Sequence, residues 1–319
     1  MRKLQIFSLA LLCLLLFGCD HNNQAETRIA IIEPIQHAAM DEIVAGFKQV
    51  FAEKYHKPVK IYVENAQADS NLERAIIQKV RDGNYSMIVP IGVDATQMSV
   101  SMIQDIPIIS LASNFSEQDR KKLKSCNIVA VHDEISSAKM LDFIHQLYPN
   151  IKNIVLIHST SNKIFSEVQA TIVAGKKYNI VIKPMMATSL AELYSIGQSI
   201  PAKTQAILIL KDSLIVSGIR TLSQIAEQQQ IPLITEDQGS VKDGAGFALS
   251  VHERAIGEAG AELALKVLSG LSVCKLPMHS MEKLTIFVNQ GALKKSGQNI
   301  IAIKKISEKL GYPVESLSK

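Results

Sequence analysis

Tryptophan is absent from the 319 residues, and Phe and Tyr bring the aromatic share to only 5%. A pocket walled by many rings, such as a sugar-stacking site, is therefore disfavoured. An excess of one charge is also missing. The chain has 34 Lys+Arg against 30 Asp+Glu, a formal net charge of +4, and no basic block, which argues against nucleic acid as a partner. No apolar run reaches the roughly 18–20 residues that span a bilayer as a helix. Four cysteines are too few for a disulfide scaffold at this length, and their spacing does not mark a metal site. The motifs G-x-S-x-G, H-E-x-x-H, G-x-x-x-x-G-K-[ST] and G-x-G-x-x-G are all missing. An enzyme is therefore disfavoured, and no cofactor or metal is called for. What remains is a chain with 47% hydrophobic residues and low net charge, which excludes intrinsic disorder and leaves room for two ordinary domains.

The N-terminus carries the sharpest local signal. Arg2 and Lys3 precede an almost wholly apolar stretch from Leu4 to Phe17. Its length suits the core of an export signal and is short for a membrane span. It ends Leu16-Phe17-Gly18-Cys19, which resembles the lipobox of bacterial lipoproteins. By that resemblance cleavage follows Gly18, and Cys19 carries the lipid that anchors the protein to a membrane. Asp20 then resembles the signal that retains lipoproteins at the inner membrane, on its periplasmic face. Loss of Arg2 and Lys3 lowers the side-chain charge to +4 − 2 = +2. Residues 19–27 read as a polar tether. Cys126 and Cys274 are then the two remaining thiols, free or paired.

From Arg28 onward, short β-branched runs alternate with longer stretches of helical periodicity. Strands are expected at Arg28–Glu33, Val59–Glu64, Ser86–Ile91, Ile106–Leu111 and Asn127–Val131. Helices are expected between them at Met40–Tyr55, Ser70–Asp82 and Asp94–Ile103. The alternation then restarts. Helices are expected at Ser136–Tyr148, Ile164–Tyr178, Leu190–Ile200, Leu214–Gln229 and Ile256–Ser269, with a short one at Ile306–Leu310. The strands are expected at Asn153–His158, Asn179–Pro184, Gln205–Leu210, Pro232–Thr235, Gly246–Ser250 and Leu284–Asn289. Apolar runs this short, set between helices, indicate parallel strands buried on both faces. Two such series make an α/β protein of two doubly wound parallel-sheet lobes.

Particular residues sharpen this. His37-Ala38-Ala39-Met40-Asp41, Asn65-Ala66-Gln67-Ala68-Asp69, Val93-Asp94-Ala95-Thr96-Gln97, Asp105-Ile106-Pro107-Ile108, Val241-Lys242-Asp243-Gly244-Ala245 and the strand end Phe287-Val288-Asn289 follow one another in order. This succession resembles the ABC-transporter substrate-binding family of tryptophan- and tyrosine-uptake type. That family's motifs read HPALD, NAQGD, TPxAQ, DIPIV, SVKxGA and LxxN. The resemblance implies the type I periplasmic-binding-protein fold, with two lobes joined by a three-stranded hinge and a ligand in the cleft. It places lobe one at 28–131 and 253–284, and lobe two at 132–252 and 285–319. It also implies an ABC permease with its ATPase as partner. A sensory or scavenging lipoprotein of the same fold is the alternative.

In open α/β sheets, ligands bind beyond the carboxyl ends of the strands. That rule selects Glu33, His37, Asp94, Thr96, Ser113 and Asn114 from lobe one, and Ser161, Asn162, Asp212, Ser213 and Asp237 from lobe two. Thr96, Ser113, Ser161 and Asn162 are candidate donors for a carboxylate, and Asp212 and Asp237 candidate acceptors for an ammonium. Asp94 and Ser161 equally suit helix caps, as do Asp69 and Ser70, and His37 suits a packed or capping group. Several of these positions depart from the family. Its YNPSEANS stands as His158-Ser159-Thr160-Ser161-Asn162-Lys163-Ile164-Phe165, and its TDN as Lys211-Asp212-Ser213. Its FTAVTDP is replaced by Ser110-Leu111-Ala112-Ser113-Asn114-Phe115. Scaffold motifs persist while cleft positions change, so the expected ligand is amino-acid-like but neither tryptophan nor tyrosine.

Overall fold

The computed structural model describes residues 26–123 and 126–317. The export segment, Cys19 and Asp20 lie outside the described residues. The first βα series comprises β1 (Thr27–Glu33), α1 (Ala38–Lys54), β2 (Val59–Asn65), α2 (Ser70–Asp82), β3 (Met87–Pro90), α3 (Val93–Met102), β4 (Ile108–Leu111), α4 (Glu117–Lys122) and β5 (Ile128–His132). The second runs α5 (Ser137–Leu147), β6 (Asn153–His158), α6 (Asn162–Lys177), β7 (Val181–Met186), α7 (Glu192–Gln198), β8 (Ala206–Ile209), α8 (Ser213–Ser217), α9 (Ile219–Gln229), β9 (Leu233–Thr235), α10 (Gln238–Lys242) and β10 (Phe247–Ser250). The chain ends with α11 (Glu253–Leu268), a 3-10 turn at Val273–Lys275, β11 (His279–Ser280), β12 (Thr285–Val288), α12 (Gln290–Lys295), α13 (Ile300–Leu310) and β13 (Val314–Ser316).

These strands form two sheets. The first is parallel throughout, in the order β11-β5-β4-β3-β1-β2. The second has the order β13-β12-β10-β9-β8-β6-β7, and only its β10–β12 pair is antiparallel. The chain passes between the sheets after β5, after β10 and after β11, so three segments join the lobes.

Strand periodicity explains the layers. In β1, Ile29 and Ile31 pack with Phe47 and Phe51 of α1, while Ala30 and Ile32 meet Ile77 and Val80 of α2 on the other face. In β6, Leu156 joins Ile144 and Val168, and Val155 and Ile157 join Leu222 and Ile225. Each such side chain contributes roughly 1.5–3 kcal/mol by leaving water. The α1–α11 crossing needs two glycines. A Cβ on Gly46 would stand 2.1 Å from the Arg254 carbonyl oxygen, and one on Gly257 would stand 1.9 Å from that of Ile43.

The structure departs from the sequence reading in several places. The single helix expected over 214–229 is two, α8 and α9, broken at Gly218. A Cβ there would lie 2.1 Å from Leu193, so the break lets α7 pack close. Thr27 belongs to β1 rather than to a tether. The helices α4, α10 and α12 and the strands β11 and β13 are additional; all are too short to show a periodicity of their own. Cys126 and Cys274 are joined as a disulfide with Cα atoms 5.4 Å apart, tying the approach to β5 to the 3-10 turn. Among the described residues, no helix is long and apolar enough to cross a membrane.

Candidate functional site

The carboxyl ends of both sheets border a cavity of about 630 Å³. From the first sheet it is reached by the turns after β1, β2, β3 and β4 (Ile35 and His37, Ala68 and Asp69, Gly92 and Asp94, Ala112). From the second come the turns after β6, β8 and β9, with Ser159 and Ser161, Lys211 to Ser213, and Asp237. Asp133 and Glu253, on two of the segments joining the lobes, complete it.

Backbone geometry decides which of the selected residues reach this wall. His37, Asp94, Ser161, Asp212, Ser213 and Asp237 line it. His37 caps α1, its Nδ1 accepting the Ala39 N–H at 3.3 Å. Asp94 sits in the first turn of α3, whose cap is Gly92, and Ser161 caps α6 without a side-chain bond. Asn162 is the first residue of α6, and its side chain is not among those described. Asp212 and Asp237 are more engaged than the sequence implies. Asp212 accepts the Ser159 N–H at 2.6 Å and the Leu214 N–H at 3.2 Å, and Asp237 accepts the Ser240 N–H at 2.6 Å.

Glu33, Thr96, Ser113 and Asn114 are not part of the wall. Glu33 is buried against Asn65, whose amide donates to it at 3.1 Å; burial nevertheless lifts its pKa above the ordinary carboxylate value. Thr96 donates to the Gly92 carbonyl at 2.6 Å and bonds Ser110 at 2.7 Å. Ser113 bonds Ser110 from the other side at 2.5 Å. A hydroxyl chain thus runs beneath the turns rather than into the cavity. Asn114 points to solvent.

The sequence reading missed Glu73, Asp133, Lys211 and Glu253, which all line the cavity. Lys211 donates to the Asp133 carbonyl at 2.9 Å and pairs with its carboxylate. Burial disfavours the Lys211 charge, but the carboxylates of Asp133, Glu236 and Glu253 outweigh it and hold its pKa above the usual value. Glu253 accepts the Gln238 N–H at 2.6 Å; burial first, and then Asp237, push its pKa up to about 8. Glu73 in the first turn of α2 is raised to about 7, by burial and then by Asp94. Acidic side chains dominate the wall: Asp69, Glu73, Asp94, Asp133, Asp212, Asp237 and Glu253 stand against Arg74 and Lys211. No Phe, Tyr or Trp lines it among the described residues.

A cavity bordered by the carboxyl ends of two α/β lobes is arranged to enclose a small ligand. The model of the ABC transporter substrate binding protein family matches residues 28–309. The chain belongs to this family. An uncharacterized protein of Rickettsia prowazekii is 35% identical over 280 residues, 88% of each chain. A tyrosine-binding protein of Clostridioides difficile is 26% identical over 303 residues, covering 88% of this chain and 87% of the other. Among solved structures, the ABC domain in complex with L-Trp from Streptococcus pneumoniae superposes with a TM-score of 0.78 at 21% identity, covering 86% of this chain and 95% of that one. This substrate-binding protein therefore has the type I periplasmic-binding-protein fold, and its family implies an extracytoplasmic location. Its family is one of substrate-binding proteins rather than enzymes.

Proposed function

We propose that this is a lipid-anchored solute receptor of an ABC importer. It binds a small amino-acid-like ligand between its lobes and delivers it to a permease. The cavity walled by both lobes is the observation that carries this reading. Ligand bridging the lobes would favour a closed form. Moving such an equilibrium from 1:99 to 99:1 takes about 5.5 kcal/mol of differential binding. Lys242 of α10 already reaches Glu42 of α1 at 2.7 Å, an ion pair across the cleft. The lobes are taken as 28–131 with 253–284, and 132–252 with 285–319. The anchor is Cys19, set by Leu16-Phe17-Gly18-Cys19, on the periplasmic face of the inner membrane.

The ligand is read as neither tryptophan nor tyrosine, because the acidic wall without rings offers an indole or phenol little to stack on. A thermal-shift screen of the purified protein against amino acids, nucleosides and small amines tests this. A ligand at one hundred times Kd stabilises by about 2.7 kcal/mol. If tryptophan and tyrosine give the largest shifts, the ligand reading is wrong. If nothing binds, the receptor reading is wrong. Detergent-phase partitioning that persists in Cys19→Ser would remove the anchor.

A further inference from the structure

Three residues that line the cavity each carry a buried side-chain atom without a hydrogen-bond partner: His37 Nε2, Glu73 Oε1 and Glu253 Oε2. Their residues are 5%, 5% and 4% exposed. The other such atoms among the described residues, on Ser99, His145 and Ser240, do not line the cavity. An unmet polar group in a buried wall costs about 1–3 kcal/mol, so orphans gathered at one cavity point to what fills it.

Each orphan has a definite character. His37 Nδ1 accepts from the Ala39 backbone, so a neutral ring carries its proton on Nε2, which is a donor. Glu253 already uses Oε1 on the Gln238 N–H, which leaves Oε2 as its unbonded acceptor. His37 and Glu253 share one end: a Cβ on Gly239 would stand 2.8 Å from His37 Cε1, and the preceding Gln238 is the residue bonded to Glu253. Glu73 belongs to another neighbourhood, where its electrostatic neighbour is Asp94 of α3 and its chain neighbour Arg74. Apolar Ile35, Met40, Ile91 and Val93 also line the wall.

A donor and an acceptor at one end, a second acceptor elsewhere and apolar surface besides are the complement of one ligand class. We propose that the cavity takes a dibasic amino acid, its carboxylate held by His37, its α-ammonium by Glu253 and its distal ammonium by Glu73. The assignment rests on the receptor reading and names its substrate. The surrounding charges agree with it. Glu253 faces Asp237 from α10 and Lys211 from the β8 turn; Lys211 is itself held by Asp133, with Glu236 beyond. Burial raises Glu73 to about 7 and Glu253 to about 8, so near neutral pH without a bound ligand the first is about half protonated and the second mostly so. An arriving ammonium displaces that proton to solvent, so binding releases protons and tightens as pH rises from about 6 to 8.5.

Isothermal titration of the purified protein with L-lysine, L-norleucine and 1,5-diaminopentane tests the assignment. Norleucine lacks only the distal ammonium, and the diamine lacks only the carboxylate. Lysine should bind at least tenfold more tightly than either, since a hydrogen bond to a charged group is worth about 1.5–3 kcal/mol. Glu73→Gln should abolish the preference for lysine over norleucine and leave norleucine within about twofold. Lysine binding at pH 6.5 should release protons, read from its heat in buffers of different ionisation enthalpy. Norleucine binding as tightly as lysine overturns the role of Glu73, and the diamine doing so overturns the head-group site. Both comparisons need only the unmodified protein. Tighter binding of neutral amino acids than of lysine defeats the dibasic assignment and leaves the receptor standing. No binding of any amino acid, amine or nucleoside defeats both.

Discussion

Glu253→Gln offers the sharpest physical test of the site. In the folded chain Glu253 is 4% exposed, and its pKa rises from 4.5 to about 8, chiefly through burial. An unfolded chain releases this proton near pH 4.5, whereas the folded chain keeps it until about pH 8. Between those values the native state binds more protons, so the stability present below pH 4.5 is lost as pH rises toward 8. At 1.36 kcal/mol per unit the span corresponds to at most about 5 kcal/mol, and relaxation around the buried carboxylate brings the expected figure to roughly 3–4 kcal/mol. Glutamine does not titrate, and its carbonyl keeps the bond from the Gln238 N–H. Unfolding followed by fluorescence from pH 4.5 to 8.5, without ligand, should show similar Tm values at the acid end. At the alkaline end the variant should be roughly 6–15 °C more stable. Glu73 titrates alike in both proteins, so the difference between the curves isolates Glu253. A gap that stays constant across the range would refute the reasoning.

Ala68 takes a left-handed φ of 61° where the family motif carries glycine, so Ala68→Gly should stabilise by about 0.5–1 kcal/mol, read as a rise in Tm. The gain is what remains when relief of the left-handed strain exceeds the extra freedom of an unfolded glycine. A Cβ on Gly239 would meet the Ala39 nitrogen at 2.4 Å across the cleft. Gly239→Ala should therefore push the lobes apart and weaken a confirmed ligand at least tenfold, on the order of 1.4 kcal/mol, and an unchanged Kd would dismiss that contact as a limit on closure. Removing the Cys126–Cys274 disulfide, which closes a separation of 148 residues, should lower stability by roughly 2–5 kcal/mol, measured as the Tm of Cys126→Ser/Cys274→Ser under non-reducing conditions.

Sequence periodicity sufficed for the two lobes because their strands are buried on both faces. A short β-branched run such as Ile29–Ile32 or Ile154–Ile157, set between helical stretches, reads as a strand covered on both faces. Short connectors had no such signature: α10 has five residues and β11 two, and both owe their form to neighbours. The sequence left Cys126 and Cys274 free or paired, since nothing local decides between the two for residues 148 positions apart.

The site divided along a similar line. A strand's carboxyl end fixes which turn borders the cleft, but the turn's backbone fixes where its side chains point. Gly92 at φ 86° and Ala112 at φ 50° are left-handed residues in the turns after β3 and β4. There Thr96 and Ser113 converge on Ser110, while Asp94, two residues before Thr96 on the same helix, stays at the wall. Glu73 and Glu253 passed unnoticed for the opposite reason. Each lies in a helix's first turn, where an acidic residue is ordinary and offsets the partial charge of the backbone. Only tertiary packing takes these carboxyls out of water, and only then does an unbonded oxygen acquire meaning. The legible residues of the cleft were those that terminate strands. The residues that select a ligand are those whose hydrogen bonds the fold leaves incomplete, and that property exists only in three dimensions.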